Sequence, residues 1–214
     1  MRLYYGAHPE QGSGMPGAPP TLQLHYTPRS HFSRKVRILL DALQLPVELF
    51  DAGNVAESDP AHFGPNPLFK VPTLVDGAHV VFDSDHIAAH IVRRHDPADR
   101  FAVLTAEPEA LNARAVMNGV MTAEVEIILA ERTGIDTRGL QRFEKLRESI
   151  RGGLAWLDAR CDRVPQDPSY LAFHFVAMWD HLAFYKTIDV RFDRLQAYAQ
   201  RWAGLPYVAR SRPI

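Results

Sequence analysis

Cysteine is nearly absent. Cys161 stands alone among 214 residues, so the chain can build no internal disulfide, no paired-thiol redox centre and no cysteine metal cage. Charge of one sign is scarce too. The 24 Lys and Arg residues balance 25 Asp and Glu residues to a formal net charge of −1, which leaves no electrostatic footprint for nucleic acid or an anionic membrane. No apolar run approaches the ~20 residues of a membrane helix, and no basic segment followed by an apolar stretch opens the sequence. These absences point to a cytoplasmic protein with neither nucleic-acid nor membrane partners. If thiol chemistry occurs here, a ligand must bring the thiol.

What is present is the composition of an ordinary folded protein, 46% hydrophobic and 23% charged, long enough for one large domain or two small ones. Residues 1–20 are rich in Gly and Pro without sustained periodicity and read as a mobile tail. Leu22, Leu24 and Tyr26 then alternate as a strand, and Val36, Leu39, Leu40 and Leu43 follow at helical spacing, giving a helix over about 33–44. Val47 to Phe50 reads as a second strand, so the first unit is β-α-β with a parallel pair and a right-handed crossover. Residues 51–67 are irregular. Strands over 71–75 and 79–82 flank Asp76-Gly77, a hairpin signal, and a helix over about 84–94 follows. Beyond a linker at 97–106, the pattern from 107 to 214 is helical. The fold class expected is a small α/β domain (21–96) followed by an all-α domain.

The most informative stretch is Ser30-His31-Phe32-Ser33, at the junction of the first strand and helix. Free backbone N–H groups and the helix dipole at such a position favour an anion such as a thiolate, and a serine hydroxyl adds a hydrogen bond to it. Ser33 alone could simply cap the helix. Further on, Val71-Pro72 opens a strand. A cis bond there could leave the Val71 main chain available to an extended peptide, although most X–Pro bonds are trans. Asp83-Ser84 begins the next helix, where Ser84 can cap, a carboxylate could bind, and Asp83 could accept from an ammonium group.

Other clusters invite blander readings. His86 and His90 share a helix face with His95 nearby, but Ile87 occupies the place of a zinc-protease glutamate and no third ligand is identifiable, so no metal site is expected. His174, Asp180 and His181 read as polar residues on the margin of a packed helix. Arg34, Lys35 and Arg37 read as a solvated helix face.

Taken in order, Ser30-x-x-Ser33 with Arg34-Lys35-Val36-Arg37, then Asn66-Pro67 to Lys70-Val71-Pro72, then Asp83-Ser84 ahead of a helical region, resembles the cytosolic glutathione transferases. The resemblance runs over about 21–213 and includes the ending Leu205-Pro206-Tyr207 to Pro213. It is nearest to serine-type bacterial enzymes, with some likeness to the zeta class of maleylacetoacetate isomerases. It implies a thioredoxin-like domain, a helical C-terminal domain, a homodimer, and glutathione as co-substrate. Ser30 would hydrogen-bond the glutathione sulfur. Ser33, Lys70, Val71, Pro72, Asp83 and Ser84 would hold the rest of the molecule, with Pro72 as a cis-proline, Val71 pairing the cysteinyl unit, and Asp83 and Ser84 gripping the γ-glutamyl end.

Two departures stand out. His31 occupies a place where many members have proline, and Tyr170-Leu171-Ala172-Phe173 stands where many begin a helix with a Ser/Thr-x-x-Asp capping box. The function implied is transfer of glutathione to a small hydrophobic electrophile. The alternatives are a glutathione-dependent isomerase and a non-catalytic binding protein on the same fold. Met117, Met121 and Tyr185 are candidate walls of the electrophile pocket and equally good core residues.

Overall fold

The structure is a computed structural model that describes residues 22–57, 59–189 and 191–213. The reading of residues 1–20 as a tail falls outside them.

Strand β1 (Leu22–Tyr26) buries Leu22 and Leu24 on one face, as its alternation requires. Helix α1 (His31–Ala42) packs over that face and carries the chain to β2 (Val47–Asp51), which pairs parallel to β1. Strand β3 (Thr73–Asp76) pairs antiparallel to β1, and β4 (His79–Phe82) pairs antiparallel to β3, giving the order β2-β1-β3-β4. Asp76 faces His79 in the ladder, so the hairpin turns on Gly77 and Ala78, with Gly77 at φ +58 where a side chain would be strained. Helix α2 (Ser84–His95) buries Ile87, Ala88, Ile91 and Val92.

The remainder is helical: α3 (Pro108–Arg132), α4 (Gln141–Asp158), α5 (Tyr170–Tyr185), α6 (Asp193–Ala203) and the short α7 (Pro206–Ala209). Helix α5 is buried on nearly every side, from Tyr170 through Met178, because it packs against α1, α3 and α6 at once. No helix among the described residues is long and apolar enough to cross a membrane.

Three local expectations need correction or refinement. Helix α1 begins two residues before the expected start because Ser30, not Ser33, is its N-cap. Helix α5 lacks the reciprocal capping box, as expected, because Ala172 stands at its third position, but it keeps a simple serine cap: Ser169 Oγ accepts from the Ala172 N–H at 3.2 Å. The largest correction concerns Arg34 and Lys35, which are 2% and 0% exposed and therefore lie inside the molecule rather than on a solvated face. Ile38, Leu39 and Leu40 are buried beside them, because α1 packs against α5, α2 and α7 and shares one core with the strand residues Leu22, Leu24 and Leu74.

Candidate functional site

The sheet register gathers the expected residues at one end. Thr73 at the start of β3 faces His25 near the end of β1 and Phe82 at the end of β4. The loop leaving β1 toward Ser30, the Lys70-Val71-Pro72 approach to β3, and the step from β4 into Asp83-Ser84 therefore share that edge.

Ser30 is half-buried, and its backbone N–H donates to the Thr27 carbonyl at 3.1 Å. Its Oγ accepts from the Ser33 N–H at 3.1 Å, which closes the first turn of α1 and leaves the hydroxyl hydrogen to donate elsewhere. Ser33 is fully buried, and its Oγ has no hydrogen-bond partner among the described residues. Lys70 is exposed. Its carbonyl accepts from Asn66 Nδ2 at 2.9 Å, and the same amide reaches Thr73 Oγ1 at 3.0 Å, so Asn66 shapes the loop that presents residues 68–72. The Val71–Pro72 bond is cis. Val71 precedes the β3 ladder, whose register begins at Thr73.

Asp83, not Ser84, caps α2. Asp83 Oδ1 accepts from the N–H groups of Asp85 at 2.8 Å and His86 at 3.2 Å, and the residue sits at φ +67, a conformation that favours glycine. Ser84 is buried as the first residue of the helix, and its carbonyl accepts from the Tyr170 hydroxyl at 3.3 Å.

Beneath this edge lies a polar network that sequence reasoning missed. Lys35 Nζ donates to Asp85 Oδ1 at 2.9 Å and to Asn118 Oδ1 at 3.1 Å, and it approaches His174 Nε2 at 3.4 Å. Asp85 also accepts from the Tyr170 hydroxyl at 2.8 Å and from Asn118 Nδ2 at 2.7 Å. Burial pushes the Lys35 ammonium down to about 8 despite the opposing charge of Asp85, so it remains mostly protonated at neutral pH. Burial disfavours the Asp85 carboxylate, but the charge of Lys35, with His174 and the hydrogen bonds of Lys35 and Asn118, outweighs it and holds the group well below the usual carboxylate range. The network ties the first turn of α2 to α1, α3 and α5 and so fixes Asp83 and Ser84 relative to Ser30. A second buried cation, Arg34, pairs with Asp180 at 2.8 Å and donates to Ser211 Oγ at 3.2 Å.

Of the candidate electrophile contacts, Met117 and Met121 are core residues, while Tyr185 is half-buried against His181 and Phe184. A groove of about 670 Å³ between α5 and α6, lined by residues such as Trp179, Leu182, Ile188 and Ala199, shares only Asp180, the partner of Arg34, with the residues above.

A four-stranded β-α-β, β-β-α unit with a cis-proline before its third strand, followed by an all-helical unit, is the architecture of the glutathione transferase fold. Comparison with known proteins agrees. Residues 24–99 match the glutathione S-transferase N-terminal domain. A glutathione S-transferase from Methylobacterium radiotolerans in complex with glutathione sulfonate is 24% identical, covers 90% of this chain and 95% of its own, and superposes with a TM-score of 0.76. One from Methylobacillus flagellatus with glutathione bound is 20% identical over 91% and 100%, with a TM-score of 0.77. A maleylacetoacetate isomerase from Methylobacterium extorquens with malonate and glutathione bound is 20% identical over 89% and 96%, with a TM-score of 0.69. No curated protein matches the sequence. The chain is thus a protein of the glutathione transferase fold.

Proposed function

We propose that this protein binds glutathione at the edge shared by Ser30, Val71 and Asp83, and activates its thiol for attack on a small hydrophobic electrophile. The observation that carries the reading is Ser30 itself: a half-buried hydroxyl at the N-terminus of α1, with its hydrogen free to donate, on the same edge as an unladdered main-chain segment and a second helix N-terminus. The thiol of a free cysteine, pKa ~8.5, is mostly protonated at neutral pH, and a helix terminus with a hydroxyl donor lowers that value. Ser30 keeps its own proton throughout. The thiolate sulfur donates the electron pair that forms the new S–C bond, and the electrophile's leaving group departs with its pair or, in an addition, its carbanion takes a proton from solvent.

In this reading the Val71 N–H and C=O pair with the cysteinyl unit, and Ser84 with the N-terminal end of α2 receives the γ-glutamyl carboxylate, while Asp83 accepts from its ammonium. Lys70 contributes a further polar contact and Pro72 shapes the approach, whereas Ser33, whose hydroxyl is fully buried, acts through the N–H it donates to Ser30 Oγ. Residues 21–96 would form the glutathione-binding domain and 107–214 the electrophile domain, joined by 97–106. A homodimer is supported by apolar surface at Leu68, Phe69 and Phe82 and, farther along β4 toward the hairpin, Val80, all exposed. A cytoplasmic setting suits the reading, since the glutathione pool there is reduced.

Calorimetric titration of glutathione into the wild type and Ser30→Ala, with the bound thiol followed by thiolate absorbance, tests it. Binding to both with a depressed thiol pKa only in the wild type is the expected result. No binding to the wild type overturns it and leaves a scaffold for other partners. The likeness to the maleylacetoacetate isomerase favours one second reading, in which the thiol adds to a substrate and later leaves it. Product analysis separates the two: an isomerisation consumes no glutathione.

A further inference from the structure

His31, Glu124 and His181 come from the first turn of α1, the middle of α3 and the last turns of α5, and they meet in the interior at 1%, 0% and 5% exposure. His181 Nδ1 lies 2.6 Å from Glu124 Oε2, and His31 Nδ1 lies 3.7 Å from the same oxygen. One nitrogen from each ring and one carboxylate oxygen all fall within 4.8 Å of one another. Ligands held about 2.1 Å from a transition metal stand about 3.0–3.4 Å apart in octahedral or tetrahedral geometry, so the observed pair distances bracket what an ion requires.

A second observation is independent of that convergence. Both ring nitrogens of His31 are buried without a hydrogen-bond partner among the described residues. The Met121 main chain also comes near the ring. Leaving a buried polar group unmet costs about 1–3 kcal/mol, so such a group calls for a partner, an ordered water or an ion. Glu124 shows the complementary need. It is a fully buried carboxylate whose partners among the described residues are two histidines and Thr187, none of them a permanent cation. Thr187 Oγ1 donates to Glu124 Oε1 at 3.2 Å, which leaves Oε2 turned to the imidazoles, as outer partners of metal-binding carboxylates do.

We propose that His31, Glu124 and His181 form a binding site for one first-row divalent transition-metal ion, of the zinc or iron(II) type. Two imidazoles and one carboxylate are the ligand set such ions favour when some coordination positions stay open. Phe32, Tyr185 and Thr187, all half-buried, border the cluster. His31 follows Ser30 directly, so the ion would sit beneath the start of α1. The inference does not rest on the glutathione reading, since it uses neither the Ser30 hydroxyl nor the edge residues.

The test is titration of the metal-free full-length protein with cobalt(II) in the absence of glutathione and other thiols, followed by visible ligand-field absorption, with zinc(II) measured by elemental analysis after dialysis. One ion per chain is expected. His31→Ala, which breaks no hydrogen bond, should weaken binding at least about tenfold, since loss of an outer-shell partner alone costs 10–100-fold. Thr187→Val should keep the stoichiometry and weaken affinity by a smaller factor. His90→Ala removes the Asp76-facing histidine of the surface group formed with His95 and should leave binding unchanged. Failure of the wild type to retain an ion, or wild-type affinity in a folded His31→Ala, overturns the proposal, as does loss of binding in His90→Ala alone.

Discussion

Lys35 Nζ and Asp85 Oδ1 meet at 2.9 Å in the interior, joining the second turn of α1 to the first turn of α2. Lys35 is 0% exposed and cannot exchange its partner for water. Removing one member of such a pair leaves the other charge uncompensated, which typically costs about 3–5 kcal/mol, whereas an exposed pair is worth less than about 1 kcal/mol. Asp85→Asn should therefore lose about 3–5 kcal/mol in urea unfolding. A cost below about 1 kcal/mol would mean that the pair is open to solvent.

The same pair gives a pH dependence. Asp85 is held below its ordinary 3.8 in the folded state, so the unfolded chain binds its proton first as pH falls. The stabilisation is fully present above about pH 4 and is lost progressively below it. Unfolding free energies measured across the acid range should fall more steeply in the wild type than in Asp85→Asn, which lacks this titration.

Ser30 has two separable duties. Ser30→Ala removes the cap of α1 and should cost about 1 kcal/mol, within the usual 0.5–2 range. Ser30→Asp keeps a capping oxygen for the Ser33 N–H but places a carboxylate where the glutathione thiolate would sit. It should unfold near the wild-type midpoint and bind glutathione far more weakly, because like charges disfavour each other there. If Ser30→Asp bound glutathione as well as wild type, the sulfur would lie elsewhere.

Asp83 combines a cap with a positive φ. Asp83→Ala loses the two accepted N–H bonds and retains the strain, for a cost of about 1–2 kcal/mol. Asp83→Gly loses the same bonds but relaxes the backbone, so it should be the more stable of the two. Thermal denaturation of both variants checks the order. Both should weaken glutathione binding alike, since both lose the carboxylate.

The strands and the hairpin were legible because period-2 alternation at Leu22, Leu24 and Tyr26 and the Asp76-Gly77 turn are local signals. The edge residues were legible through their order. Lys35 and Arg34 were not, yet a trace was present: Lys35 is four residues before Leu39, and Arg34 four before Ile38, so both share a face with buried apolar residues. What neutralises them, Asp85 and Asp180, is far along the chain and belongs to other helices. His31, Glu124 and His181 are equally dispersed, and no spacing rule joins residues that only tertiary packing brings together. The cap of α1 went to Ser30 rather than Ser33 because the chain already turns at Thr27, whose carbonyl takes the Ser30 N–H.

Two adjacent glycines in α4 offer a test of packing between α3 and α4 with opposite signs. A Cβ on Gly152 would meet nothing within 4 Å, whereas one on Gly153 would stand 2.6 Å from Val120 Cγ2 and 3.3 Å from Val116 Cγ1. Alanine in a helix interior gains about 0.8–1 kcal/mol over glycine. Gly152→Ala should keep that gain. At Gly153 the clash falls on a buried, β-branched side chain that has little rotamer freedom to withdraw, and overpacking of this kind costs about 1–3 kcal/mol. The net effect of Gly153→Ala should be destabilising by up to about 2 kcal/mol, and Val120→Ala in the same background should recover part of it. Urea unfolding of the two single variants decides the matter: equal stabilisation by both would mean that α3 and α4 lie farther apart than this packing requires.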